Sequence, residues 1–232
     1  LLPKAVLKYQ FRPQSYMYIS ASRGYKTGGH NIQIFADLLQ EAMNAKIYSY
    51  MPTSSPADQT PVANRITFKP EYSWNYEVGG QINIIDNTLF TNFSLFYIDV
   101  KDVQITKFVA TMGGRMVENA GNAVSKGFEA GLKVRPCKGF FLYGNYGFSD
   151  ARFKDYVTTI KGDDGEEKEV DYSNNHIPFA PRMTLSLGTN ISYDLAKSAI
   201  LDRIIFDINY TRVGRIYWNE ENSIFEPDYD TV

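Results

Sequence analysis

Cysteine is almost absent from this chain. The one present, Cys137, stands in a Pro-Cys-Lys-Gly stretch. A single thiol excludes an internal disulfide framework and any multi-cysteine metal site, so Cys137 reads as an ordinary turn residue. Histidine is nearly as scarce: His30 and His176 lie far apart, and no H-E-x-x-H pattern occurs. Long hydrophobic runs are missing too. None approaches the ~18 residues that a membrane-spanning helix requires, which excludes a helical membrane protein. Charge of one sign is also lacking. The net charge is -2 over 232 residues with no basic run, so nucleic acid is not expected as a partner. The stretch "GYKTGGH" holds glycines and a lysine, but not in the order of a phosphate-binding loop. No cofactor, metal site or covalent chemistry is expected. The opening "LLPKAVLKYQF" lacks the basic, apolar and small-residue regions of a signal peptide. The end, "FEPDYDTV", has no obvious closing strand. The chain is therefore expected either not to be exported or to start inside a larger protein, and both termini look cut.

Aromatic residues, by contrast, are abundant at 15%, with 17 Tyr and 15 Phe. They are arranged. In "YSWNYEVGGQINII", Tyr72, Trp74, Tyr76, Val78, Gly80, Ile82 and Ile84 alternate with Ser73, Asn75, Glu77, Gly79, Gln81 and Asn83. A strand sends alternate side chains to opposite faces, so this strand is apolar on one side and polar on the other. Seven further segments repeat the pattern: "PKAVLKYQF", "YMYISASRGY", "LFTNFSLFYIDV", "VSKGFEAGLKVRP", "FLYGNYGFSD", "RMTLSLGTNISY" and "RIIFDINYTR". A ninth strand is expected near Tyr229. In "LFTNFSLFYIDV" the phase blurs after Tyr97, since Ile98 and Val100 fall on the other parity. A bulge would account for that.

The links alternate. "RPQS", "DNT", "PCKG" and the somewhat longer "DLAKSAILD" are short. Between them fall residues 27–66, the "ATMGGRM" stretch and the acidic "GDDGEEKEVDYSNN", expected to be a solvated loop. In an up-and-down meander the short turns gather at one end and the long links at the other. Within the first long link, "FADLLQEAMNAKIYSYM" has helical spacing at Leu38, Leu39 and Met43.

Alternation alone does not say what the apolar face touches, because a soluble sandwich strand also has one wet face. Three features favour lipid. The alternation lasts as long as a crossing of ~9–11 residues requires, whereas typical strands run ~5–6. Tyr9, Phe11, Tyr16, Phe90, Phe140 and Tyr193 flank the short turns, while Tyr72, Trp74, Tyr76, Tyr146, Phe148 and Tyr210 cluster toward the long links. Two such belts are the girdles of a membrane barrel. Short and long links at opposite rims complete the pattern.

Several stretches resemble those of TonB-dependent outer-membrane receptors, in the expected order and over nearly the whole chain. They are "SRGYKTGGHN", "FKPEYSWNYEVGGQ", "FYIDVKDVQI", "ENAGNAVSKGFEAGLKVRP" and "IPFAPRMTLSLG". The resemblance implies an all-β antiparallel meander, about eight strands from the later half of a 22-stranded transmembrane barrel. A plug domain and the terminal strands would lie outside residues 1–232.

It further implies energy-coupled uptake of a scarce large nutrient, a ferric siderophore above all, across the outer membrane of a Gram-negative bacterium. Membrane lipid, the protein's own plug, the TonB complex and the iron chelate would be the partners. Tyr25, Lys26, His30 and Arg115 stand on long links or at the lumen's outer end, with the aromatic or cationic character that suits an anionic chelate. Glu77, Gln81, Glu129, Lys133 and Arg135 fall on the lumen parity, where they would hold the plug or neighbouring charges. A passive porin-like channel piece and a soluble β-sandwich binding module are the alternatives.

Overall fold

A computed structural model describes residues 1–31, 67–85, 88–109, 114–161, 166–195 and 201–232. The helical spacing at Leu38, Leu39 and Met43 falls outside the described residues. In chain order the strands are β1 (Lys4–Arg12), β2 (Ser15–Lys26), β3 (Gly29–His30), β4 (Thr67–Phe68), β5 (Glu71–Ile85), β6 (Leu89–Lys101), β7 (Gln104–Val109) and β8 (Gly114–Asn119). There follow β9 (Asn122–Cys137), β10 (Phe140–Asp155), β11 (Val157–Lys161), β12 (Glu167–Asp171), β13 (Met183–Asp194), β14 (Arg203–Val213), β15 (Ile216–Tyr217), β16 (Phe225–Glu226) and β17 (Tyr229–Thr231).

Nine of these form one sheet in the order β1-β2-β5-β6-β9-β10-β13-β14-β17, every pair antiparallel. This is the expected meander, with the ninth strand beginning at Tyr229. The four remaining pairs are two-stranded sheets: β3-β4, β7-β8, β11-β12 and β15-β16. Each lies within one long link. The acidic stretch is thus not a plain solvated loop. Its "EKEVD" segment pairs with the preceding "VTTIK", from Val157 with Asp171 to Lys161 with Glu167.

The register carries the two-faced pattern across the sheet. Leu7 pairs with Ile19, Ile19 with Val78, Val78 with Leu95, Leu95 with Phe128 and Phe128 with Phe148. A one-residue slip anywhere would turn a strand's apolar set to the polar side. The short turns fix this register. In one of them Gly139 adopts φ 81°, and a Cβ there would lie 2.2 Å from the Ser192 carbonyl oxygen.

The apolar face is bare. Leu7 is 69% exposed, Phe206 63% and Ile208 57%. A sandwich would bury those side chains under a second sheet, so the soluble alternative fails here. Two expectations about this face need correction. Tyr16 and Phe90 lie on the polar side, opposite Gln81 and Lys133 respectively, and Lys8 Nζ sits 3.6 Å from the Tyr16 ring centroid. The lower girdle is therefore Tyr9, Phe11, Phe140 and Tyr193. Nor is there a bulge after Tyr97. Pairing of β6 with β5 runs unbroken from Phe90 to Lys101. Ile98 and Val100 keep the polar-face parity, but that face is covered at the long-link end, where Val100 packs on a buried cluster.

That cluster is where the core sits: Val103, Ile105, Ala120, Ala123, Phe153 and Tyr156. Among the described residues no helix is long and apolar enough to cross a membrane.

Candidate functional site

The long links build a crown on the end of the sheet. Its base is the buried cluster. Phe153 and Tyr156 meet at 4.9 Å between ring centroids, and Tyr156 meets Tyr172 at 5.6 Å. The Tyr156 hydroxyl donates to Glu118 Oε1 at 2.9 Å, and burial followed by the Glu118 charge pushes its pKa up. Backbone bonds close two links at their base, Ala120 N to Val103 O at 2.7 Å and Tyr172 N to Tyr156 O at 2.8 Å, and tie the second of them to β10, Ile177 N to Ala151 O at 3.1 Å and Phe153 N to Asn175 O at 3.0 Å. Gly121, at φ 67°, makes the close approach possible, since a Cβ would stand 1.9 Å from Asp155 O.

Two amides bind the first long link to the β7-β8 hairpin. Gln104 Nε2 donates to Thr27 O and Lys69 O, each at 2.9 Å. Asn31 exchanges two 2.8 Å bonds with the Val117 backbone.

Above this base opens a cavity of about 830 Å³, a size that accepts a small-molecule ligand of ~300–1,000 Å³. Tyr172, Phe179 and Trp218 supply rings, Arg115 a cation and Glu220 an anion. Phe179 is held in the left-handed region at φ 66°, which is costly for a bulky residue. Its amide donates to Tyr217 O at 2.8 Å and its ring meets Trp218 edge-on at 5.5 Å.

His176 braces the cavity's rear. It stacks on Tyr217 at 5.3 Å, and its backbone is clasped by Asn222. Burial first, then Arg152 and Arg182, lower its pKa below the ordinary value, against a smaller opposing pull from Asp150. The unfolded loop then takes up a proton more readily than the folded one. Crown stability is therefore complete above the unfolded value of ~6.5 and falls as pH drops through it. Hydrogen-exchange protection of Asn174 to Ile177, corrected for intrinsic rates, should decrease between pH 7.5 and 5. His176→Phe should abolish that dependence. Equal protection at both pH values in the unsubstituted protein would sink the assignment.

Of the four link residues singled out in the sequence, only Arg115 lines this cavity. His30 pairs with Thr67 next to the docked Asn31. Lys26 pairs with Glu71 at the top of β2. Tyr25 meets Tyr72 in a tilted contact at 5.2 Å between ring centroids, on the apolar side. Tyr172, Phe179, Trp218 and Glu220 escaped sequence reading because no spacing connects them.

Of the polar-face residues, Glu77 accepts from the Tyr18 hydroxyl and Gln81 donates to Gln14 O at 3.4 Å. Glu129 and Lys133 are exposed. Arg135 lies 5.5 Å from the Phe141 ring centroid. Cys137 is exposed among the short turns, far from any base in the crown. Among the described residues no three His, Cys, Asp or Glu side chains gather as a metal site.

The family model for the TonB dependent receptor-like β-barrel matches residues 1–232. The chain belongs to that family. Similar solved structures agree on the fold of this receptor barrel. The ferric yersiniabactin uptake receptor FyuA from Yersinia pestis matches with TM-score 0.67 and 21% identity over 99% of this chain and 28% of its own. The siderophore receptor PiuA from Acinetobacter baumannii gives 0.63 and 16% over 98% and 28%. BauA, the ferric preacinetobactin receptor of the same organism, gives 0.61 and 15% over 99% and 28%. The chain thus spans about 28% of the length of these receptors. Its sheet does not close into a barrel: β1 and β17 stand at its two ends.

Proposed function

We propose that residues 1–232 are wall and crown of an outer-membrane active transporter that takes up a ferric chelate. The energy would come from the TonB complex acting on a plug domain inside the completed barrel. The observation that carries this reading is the crown cavity. It sits at the long-link rim, has room for a chelate, and combines rings with a guanidinium. Arg115 would meet the anionic chelate, Tyr172 and Trp218 its flat groups, and Lys26 and His30 would extend the rim. Tyr25 belongs instead to the outer aromatic belt. Glu77, Gln81, Glu129, Lys133 and Arg135 would face the plug. The apolar face would touch lipid.

The test uses the full-length receptor in a strain lacking other iron receptors. Arg115→Ala with Trp218→Ala should weaken ferric-chelate binding at least tenfold, about the loss of one charge-assisted contact, while the barrel still inserts. Dissipating the proton gradient should stop uptake. Uptake that continues without it identifies a passive channel instead.

A further inference from the structure

The crown cavity is lined by one cation and one anion, Arg115 and Glu220, and no ion pair joins them. Other carboxylates of the crown are engaged. Glu118 accepts from the Tyr156 hydroxyl, Asp150 from Arg152, Asp171 from the Ser173 amide and Glu221 from the Ser223 hydroxyl. Among the described residues no donor or cation reaches the Glu220 carboxylate, although Glu220 is half-buried. Burial first, then the charges of Glu221 and Glu220, push the Tyr172 pKa up, so both carboxylates stand near its hydroxyl. A partly desolvated carboxylate without a counter-charge costs folding free energy and returns none.

Glu220 is also held in place. Asn175 Nδ2 donates to the Glu220 carbonyl oxygen at 2.9 Å. The Trp218 amide donates to Ile224 O at 2.9 Å, and the Ile224 amide donates to Asn219 Oδ1 at 3.0 Å. The turn that carries Glu220 is therefore fixed against the 172–179 segment before a ligand arrives. Tyr172, Phe179 and Trp218 line the same cavity. Aromatic faces beside a carboxylate are the surroundings that an alkylammonium group requires. The rings attract it within ~6 Å of their centroids, and the carboxylate accepts its N–H bonds. A chelate carrying only negative charge would be repelled from this end.

We propose that the cavity selects ferric chelates that carry a protonated amine, with Glu220 receiving the ammonium and Arg115 the anionic groups. The inference rests on the reading of the cavity as the chelate site. The full-length receptor, purified in detergent, is titrated with three ferric chelates: a hydroxamate, a catecholate and a hydroxycarboxylate. Each is offered with a free primary amine and with that amine acetylated. In at least one pair the amine form should bind about tenfold more tightly, the worth of one charge-assisted contact.

Glu220→Gln should remove that preference and leave binding of the acetylated form unchanged, whereas a merely structural role would weaken both forms. Glu220→Asp, which keeps the charge, should keep the preference. Glu169→Gln, at an exposed carboxylate of β12 outside the cavity, should change neither form. Equal binding within every pair that binds overturns the proposal, as does a preference that survives Glu220→Gln. If Glu220→Gln fails to insert, the pairs on the unsubstituted receptor decide by themselves. Failure of all six chelates to bind overturns the underlying reading of the cavity instead.

Discussion

Leu187→Arg in the full-length receptor should lower barrel stability by about 2–4 kcal/mol, the cost of a cation at the midplane of a lipid-facing strand. Leu187 is 45% exposed and stands on β13 between Gly144 of β10 and Tyr210 of β14, on the apolar face. Leu132 is placed alike, opposite Thr91 and Gly144, and Leu132→Arg should cost a similar amount. Ser186→Arg, one residue away, puts the same charge between Asn145 and Thr211 on the polar face and should cost far less. Gly131 is unsuitable for that comparison: a Cβ there would meet Asn92 Oδ1 at 2.3 Å, which confounds crowding with charge. Reversible urea unfolding in lipid vesicles measures the difference. Equal costs at Leu187 and Ser186 would refute the assignment of faces.

Phe153→Ala should cost about 3–5 kcal/mol, but locally. Phe153 is 1% exposed and is the largest fully buried side chain among the described residues. It joins the end of β10 to Tyr156 and, through backbone bonds with Asn174 and Asn175, to the following link. Loss of the ring should open the crown as a unit while the wall, held by its own ladder, stays closed. Limited proteolysis should then cut within 156–182, and chelate binding should fall with it, while the heat-modifiable gel mobility of the barrel is unchanged. A crown as protected as the original would show that the cluster does not hold it.

The wall was legible in the sequence because period two, sustained over nine or more residues, admits few other structures. The alternation that begins at Tyr72 holds one parity in β5 as far as Asn83, where the register with β6 shifts. Parity also misled where the environment changes along a strand. Phe153 and Val100 share the polar side's parity, yet near the crown that side is covered and dry. Proximity to a turn points Tyr16 and Phe90 to the lower girdle, whereas their parity puts them on the other face. The crown was mostly illegible. Its short strands, such as Glu167–Asp171, are too charged to stand out by composition. Its cavity draws Val103, Arg115, Tyr172 and Glu220 from links distant in sequence. Arg115 was found only through its chemistry.

The strands of each long link pair with one another and not with the wall. That separation lets a hairpin change without breaking the wall's ladder, provided the bonds between neighbouring links, such as Gln104 to Thr27 and Asn31 to Val117, are kept. A link such as 156–182 can be replaced, lengthened or transplanted between relatives, provided the new segment restores the few staples at its base. A single added residue in the Lys138-Gly139 turn has no such freedom, because it would shift the register of every strand beyond it. The long-link rim can change while the short-turn rim keeps the register of the wall constant.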